Sequence, residues 1–338
     1  MYERYFGLLE RPFDLTANPR FLFLTTAHRE ALSTLQYGIT AQKGLTVLIG
    51  EAGTGKTTLV RAALESLRRT NSRAIYLNNP TLTRQEFVEF LAEQFGLSPD
   101  SARSKTRFLS EVTHVLTERQ RHGSPTALLV DEAQSLPDEL LEEIRLLSNI
   151  ETATEKLLPI VLVGQPELAS RLNDVHLRQL KQRVALRCAL HPLDLRETAA
   201  YVAKRLRIAG GDSAAIFTRE AIEAIYEASA GIPRTISVIC DNALVSAFAL
   251  DRRPVDLDIV ADVCRDFDLE RPAVVVHATP PAEATAADGR VYPRAVPNPV
   301  APPMPAQRPA QDTQPNPAVP PVREFFSVFT KRRRFSFF

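Results

Sequence analysis

Cysteine is scarce in this chain of 338 residues: Cys188, Cys240 and Cys264 are the three, with no Cys-x-x-Cys pair and no zinc-like spacing among them. That argues against a disulfide framework or a structural zinc site and predicts three buried, reduced thiols in a reducing compartment. Long apolar runs are also missing. None approaches the roughly 20 residues needed to span a bilayer, and the opening MYERYFGLLERPF carries acidic residues instead of the apolar core of a secretory leader. The expected location is cytoplasmic. Neither sign of charge dominates: 41 Lys and Arg against 40 Asp and Glu leave a formal net charge of +1. No global basic field therefore points to nucleic acid, although a local patch could. No internal repeat occurs. What remains is an ordinary globular composition, 24% charged and 44% apolar, on a chain long enough for two compact domains or one large domain and a tail.

Through the first 190 residues, apolar runs of strand length alternate with segments of helical period. LTVLIG (Leu45–Gly50), AIYLN (Ala74–Asn78), ALLVDE (Ala127–Glu132), IVLVG (Ile160–Gly164) and VALRCAL (Val184–Leu190) read as strands. Three are nearly continuous apolar runs, as strands covered on both faces should be. Between them, helical stripes run through Val60, Ala63, Leu64 and Leu67, through Phe87, Phe90, Leu91 and Phe95 behind a Thr83/Glu86 capping box, and through Phe108, Val112, Val115 and Leu116. Such alternation predicts an α/β domain, a three-layer parallel sheet with helices on both faces, over residues 1–191. From 192 to 268 the pattern predicts a small all-helical domain of four helices. Asp194 with Glu197 caps the first and Gly210-Gly211 closes it; the second runs from about Thr218 to Ser229; Pro233 starts the third and Asp256 caps the fourth. Residues 269–322 hold more than half of the 25 prolines and read as a disordered Pro/Ala-rich linker. The tail, 323–338, packs basic residues and phenylalanines together in REFFSVFTKRRRFSFF. Basic groups favour anionic lipid and phenylalanines insert at its interface, so this tail is expected to dock on the inner membrane surface or on a partner there.

The segment GEAGTGKTT comprises Gly50, Glu51, Ala52, Gly53, Thr54, Gly55, Lys56, Thr57 and Thr58, and it follows an apolar strand and opens a helix. It fits Gly-x4-Gly-Lys-Ser/Thr, a loop whose glycines let backbone N–H groups converge on phosphate oxygens at a helix N-terminus. Lys56 then supplies a point charge between the β- and γ-phosphates of ATP, and the Thr57 hydroxyl is a ligand to Mg2+. In ALLVDEAQ, an apolar strand ends in Asp131, which belongs beside the Mg2+ shell, and Glu132 is the candidate to polarise the attacking water. A GTPase base reader of the Asn-Lys-x-Asp type is absent, as is the Leu-Ser-Gly-Gly-Gln signature of transporter ATPases. What is left fits AAA+ chemistry, in which further polar groups sense the γ-phosphate. Gln165 ends the IVLVGQPEL strand as a sensor-1 candidate, Arg234 in GIPRTI opens a lid helix as a sensor-2 candidate, and Arg178 and Arg183 in HLRQLKQRVALR are candidates for an arginine finger offered to a neighbouring subunit, Arg183 the preferred one.

Over residues 1 to 268 the chain resembles the AAA+ ATPase family of general secretion pathway protein A and the mannose-sensitive haemagglutinin biogenesis ATPase. The likeness rests on YFGLLERPFDLTANPRFLFLTTAHREAL, GEAGTGKTT, VDEAQ, LLSNIET, LVGQPEL, LKQRV and GIPRTI. It implies a ring-like homo-oligomer that uses ATP to assemble an envelope machine for secretion, pili or polysaccharide export, with an envelope component as partner. It also implies that residues near Phe13 and Phe23 line an adenine pocket, although a core role suits either ring as well. Family members continue into a transmembrane helix and a periplasmic peptidoglycan-binding domain, where this sequence has the Pro-rich linker and basic-aromatic tail; direct coupling to the cell wall is not expected. Helper ATPases of DNA transposition share the same branch and form the competing class. They would need a basic track, for which RRTNSR and KTRFLSEVTHVLTERQRH are the candidates. A nucleotide-gated switch that barely hydrolyses is the third class, and Glu132 argues against it.

Overall fold

The five apolar runs form one parallel sheet. In a computed structural model, which describes residues 1–16, 19–68, 71–78, 81–98 and 100–269, the strands are β1 (Leu45–Gly50), β2 (Arg73–Leu77), β3 (Thr126–Val130), β4 (Ile160–Gly164) and β5 (Val184–Leu190). They lie in the order β2-β3-β4-β1-β5 with every neighbouring pair parallel. The central β1, β3 and β4 are buried along their whole length, which is why their sequences run apolar without alternation. At the edge, β5 alternates exposed with half-buried residues.

The helices are α1 (Tyr2–Phe6), α2 (Thr26–Thr40), α3 (Lys56–Arg68), α4 (Arg84–Phe95), α5 (Lys105–Arg121), α6 (Asp138–Leu147), α7 (Pro166–Arg171), α8 (Arg178–Lys181), α9 (Leu195–Ile208), α10 (Ser213–Ile216), α11 (Arg219–Ser229), α12 (Pro233–Ala249) and α13 (Leu257–Asp266). Strand side chains alternate in direction. Leu45, Val47 and Ile49 therefore join a core with α4 to α8, while Leu48 joins a second core with α2 and α3 on the other face. The capping residues do what their chemistry requires. Both halves of the Thr83/Glu86 and Asp194/Glu197 boxes form, and the Asp256 carboxylate accepts the Ile259 N–H. Gly210 N–H to Arg207 O and Gly211 N–H to Leu206 O close α9 as a Schellman pair.

Three expectations are corrected here. The strand expected over Ala127–Glu132 stops at Val130, because Glu132 takes a left-handed backbone (φ 52, ψ 37) that no strand continues through. The helical region holds a further short element, α10, capped by Asp212 and too brief to leave a period in the sequence. The N-terminal segment does not pack with the α/β sheet: Tyr2, Phe6, Leu8 and Phe13 share a core with α9, α11, α12 and α13. Residues 2–13 thus complete the helical region, and the backbone passes between that region and the α/β sheet near Phe23–Leu24 and near Leu190–Leu193. The Pro/Ala-rich linker beyond Leu269 and the basic-aromatic tail, with its membrane-docking expectation, lie outside the described residues. No helix among the described residues is long and apolar enough to cross a membrane.

No disulfide joins the three cysteines. Cys240 and Cys264 are buried, while Cys188 is half-buried on the edge strand, where burial pushes its thiol up to about 11.

Candidate functional site

The phosphate loop is a small problem in donor accounting. Its carbonyl oxygens are taken up one after another. Lys56 Nζ donates to Gly50 O at 2.8 Å and to Glu51 O at 2.9 Å, and the Thr54 hydroxyl donates to Glu51 O at 2.8 Å. The Arg234 N–H at the start of α12 donates to Gly53 O at 3.3 Å, and Leu59 N–H of α3 donates to Gly55 O at 3.0 Å. His28 of α2 places Nε2 3.1 Å from Thr54 O. With these acceptors engaged, the loop is left to present N–H groups to an anion at the N-terminus of α3. Gly53 and Gly55 take φ of +81 and +96, a region other residues enter with strain. A Cβ on Gly53 would also lie 2.8 Å from Arg234 Cβ and 2.9 Å from Ile232 Cγ2, so only glycine lets α12 come this close. Burial pulls the Lys56 ammonium pKa down, and the Glu132 and Asp131 carboxylates act against that.

The tips of β3 and β4 supply the opposing acids and amides. Asp131 is fully buried. One carboxylate oxygen accepts the Thr57 hydroxyl at 2.8 Å and the Tyr76 hydroxyl at 2.9 Å, and the other accepts the Glu132 N–H at 2.9 Å. Burial, reinforced by Asp131, drives the Tyr76 phenol upward and keeps it a donor. Glu132 Oε2 accepts from Gln134 Nε2 at 2.5 Å and from Gln165 Nε2 at 3.3 Å, and Gln134 Oε1 in turn accepts the Gln165 N–H at 3.1 Å. Gln165 therefore stands where its amide meets the Glu132 carboxylate. No cluster of three or more His, Cys, Asp or Glu able to hold a metal occurs among the described residues. The oxygen pair of Thr57 and Asp131 suits a hard cation that takes its other ligands from phosphate and water.

These groups open onto one cavity of about 660 Å³, enough for a nucleoside triphosphate. Its other walls come from the helical region and from the crossing that leads into α2: Asp14, Leu15, Phe21, Leu22 and Phe23, with Tyr201, Arg205, Arg234 and Ser237. Lys204 donates to Leu22 O at 2.9 Å and sits 5.7 Å from the Phe23 ring centroid. Arg205 donates to Pro12 O at 2.9 Å and faces the rings of Phe21 and Tyr201 at 5.3 and 5.0 Å. This crossing is a strap held down by α9.

Ala52, Gly53, Thr54, Gly55, Lys56, Thr57, Thr58, Glu132 and Arg234 line the cavity. Asp131 is reached through Thr57, and Gln165 through Glu132. Arg178 and Arg183 are exposed and belong to no wall of it. Of the two rings expected near the base, Phe23 lines the cavity. Phe13 does not: it is 1% exposed in the helical core, edge-on to Phe217, a contact that propensity could not reveal. Much of the α5 basic run is spoken for within the chain. Lys105 pairs with Glu143, Arg107 with Glu111 and Arg121 with Glu118, while Arg119 donates to Thr126 Oγ1 and Phe95 O. The RRTNSR segment is described only in part. His28, Tyr201 and Arg205 were not anticipated. For His28 a local signal existed, since Thr25 and His28 stand at the N-cap and N3 positions of α2.

An AAA domain family model matches residues 39–172. General secretion pathway protein A from Aeromonas hydrophila is 41% identical over 249 residues, 74% of this chain and 45% of that protein, so the chain spans about half the length of this curated relative. Among solved structures, the Aeropyrum pernix ORC2 protein in its ADPNP-ADP complexes superposes with a TM-score of 0.56 at 17% identity, covering 76% of this chain and 71% of that one. Drosophila ORC bound to DNA gives 0.58 at 21% identity, covering 76% of this chain and 64% of that one. At these identities the structural likeness establishes the fold alone.

Proposed function

The chain is an AAA-domain protein related to general secretion pathway protein A, and from that premise we propose that it binds and hydrolyses Mg-ATP to drive assembly or remodelling of a cell-envelope machine. One observation carries the reading: a glycine-rich loop, a buried aspartate joined to its threonine, and a glutamate held by two amides converge at the carboxyl ends of β1, β3 and β4, over one cavity. Ligands of open α/β sheets bind at such strand ends.

The residues have separable roles. Loop N–H groups and Lys56 bind the phosphates, for which Lys56 leaves the Gly50 and Glu51 carbonyls that hold it here. Thr57 and Asp131 would hold Mg2+, which would supply positive charge against the phosphoryl oxygens. Glu132 takes the proton of the attacking water. Gln165 and Gln134 fix the carboxylate that does so. Arg234 lines the cavity from α12 and would meet the phosphates, while Phe23 on the strap would take the base. Arg178 and Arg183, exposed on their own subunit, are read as groups offered to a second copy in a ring-like homo-oligomer. The envelope role rests on the name of the relative, and a location at the inner membrane goes with it. The alternative of a DNA-associated ATPase is disfavoured by the internal pairing along α5.

Calorimetry and phosphate release on the purified chain test the chemistry. Wild type is expected to bind Mg-ATP and turn it over, and Glu132→Gln to bind it without turnover. Absence of any Mg-dependent affinity for adenine nucleotides in the folded protein would end this reading; wild-type turnover by Glu132→Gln would remove Glu132 as the base. Mixing Arg183→Ala with Lys56→Ala subunits restores activity only if the arginine acts in trans.

A further inference from the structure

His28 belongs to none of the nucleotide motifs, yet it is the side chain from outside the loop that reaches the loop's backbone most directly. It is buried on the first turn of α2 and lines the cavity. Its Nε2 stands 3.1 Å from Thr54 O, which can only accept, so Nε2 carries the hydrogen. Its Nδ1 lies 2.8 Å from the Thr25 hydroxyl, which caps α2 by accepting the His28 N–H at 3.3 Å; with the hydrogen on Nε2 of a neutral ring, Nδ1 accepts the hydroxyl hydrogen. Every polar atom of the pair is satisfied in one arrangement, a neutral imidazole with the hydrogen on Nε2. A trans peptide carries its C=O and N–H on opposite sides. Anchoring Thr54 O on the imidazole therefore turns the Gly55 N–H away from His28, and Gly55 is the loop glycine directly before Lys56.

We propose that His28 is a positioning residue of the phosphate loop: held in a single tautomer by Thr25, it fixes the Thr54–Gly55 peptide so that the Gly55 N–H faces the β-phosphate of a bound nucleotide. The proposal rests on the nucleotide reading above. It also gives the strap a mechanical meaning. The chain runs from Leu22, gripped by Lys204 of α9, through Phe23 and Leu24 to Thr25 and His28, so the helical region reaches the loop along the backbone as well as through Arg234.

The test compares wild type, His28→Phe and His28→Gln in the full chain, by titration with ADP and by steady-state ATP turnover. Phenylalanine keeps a ring and removes the donor, whereas glutamine returns an N–H at similar reach without the ring. His28→Phe is expected to weaken ADP binding and raise KM by about tenfold, the size of one lost hydrogen bond, with kcat nearly unchanged, and His28→Gln to recover most of the loss. A residue that merely fills space would not be rescued by glutamine. Unchanged ADP affinity in folded His28→Phe, or failure of His28→Gln to recover, overturns the proposal. Should His28→Phe not fold, Thr25→Val carries the test: it frees the tautomer from outside the cavity and is expected to weaken ADP by about threefold, and an unchanged affinity overturns the proposal. Wild type without affinity for ADP or ATP brings down the nucleotide reading and this proposal together, whereas wild-type binding with an indifferent His28→Phe brings down the proposal alone.

Discussion

The phosphate loop and the strap face each other across one cavity and are held by opposite means. Most of the bonds that shape the loop are local: Lys56 and Thr54 satisfy carbonyls no more than six residues away. The strap is held by Lys204 and Arg205, which reach Leu22 and Pro12 from 182 and 193 residues further along the chain. One wall of the site therefore forms with β1 and α3, and the other exists only while the helical region is docked. Local contacts close small loops, whereas contacts between chain ends bear the larger entropy of a long closure. The strap is accordingly the wall that perturbation of the helical core should loosen first.

The largest effect is expected from breaking that core at its N-terminal end. Phe13→Ala opens a cavity against Phe217 in a site that is 1% exposed, and should lower stability by about 4 kcal/mol. Denaturant unfolding measures it; a change below about 1 kcal/mol would mean that the N-terminal segment is not part of the helical core. Lys56→Ala attacks the other wall. Removing the loop's only lysine should reduce ATP affinity about a hundredfold, near 3 kcal/mol, while the strap stays in place. Calorimetry decides it, and affinity within about threefold of wild type would take Lys56 out of the phosphate site.

A smaller effect separates the walls most cleanly. Arg205→Met keeps an aliphatic stem but loses the hydrogen bond to Pro12 O and the contacts with Phe21 and Tyr201. The Arg205 Nε is buried and has no hydrogen-bond partner among the described residues. A loss of about 1 to 2 kcal/mol in stability is expected, with a parallel loss of ATP affinity although no phosphate group is touched. Equal affinity in the folded variant would show the strap to be a passive wall.

The same local-versus-distant division governs what could be read in advance. The sheet, the loop, Asp131, Glu132 and the helix caps are contiguous patterns whose physics acts within one or two turns, and they were legible. Gln165 was placed at a strand tip from sequence, and its meeting with Glu132 follows from the adjacency of β3 and β4. Phe13 and Phe23 look alike as apolar residues before a helix. Only packing against α9 and α11 sends one into a core and the other to the cavity. The left-handed backbone at Glu132 was illegible for another reason, since a strand-like run gives no local sign of where a functional turn overrides it.

His28 ties the two walls together, and its ionisation offers the finest test of how firmly. Burial lowers its pKa below the ordinary 6.5, the Thr54 carbonyl and the more distant Glu197 carboxylate opposing the shift. As pH falls below 6.5, the unfolded chain takes up this proton before the folded one does. Stability must then drop with falling pH until the folded imidazole also titrates, by at most about 1.4 kcal/mol per pH unit for one proton. Well above pH 6.5 both states are neutral and the dependence vanishes. His28→Gln removes this proton while leaving the carboxylates shared with wild type, so the difference between their stability curves isolates the imidazole. A flat difference between pH 7 and 5 would mean that His28 meets solvent and does not hold the loop.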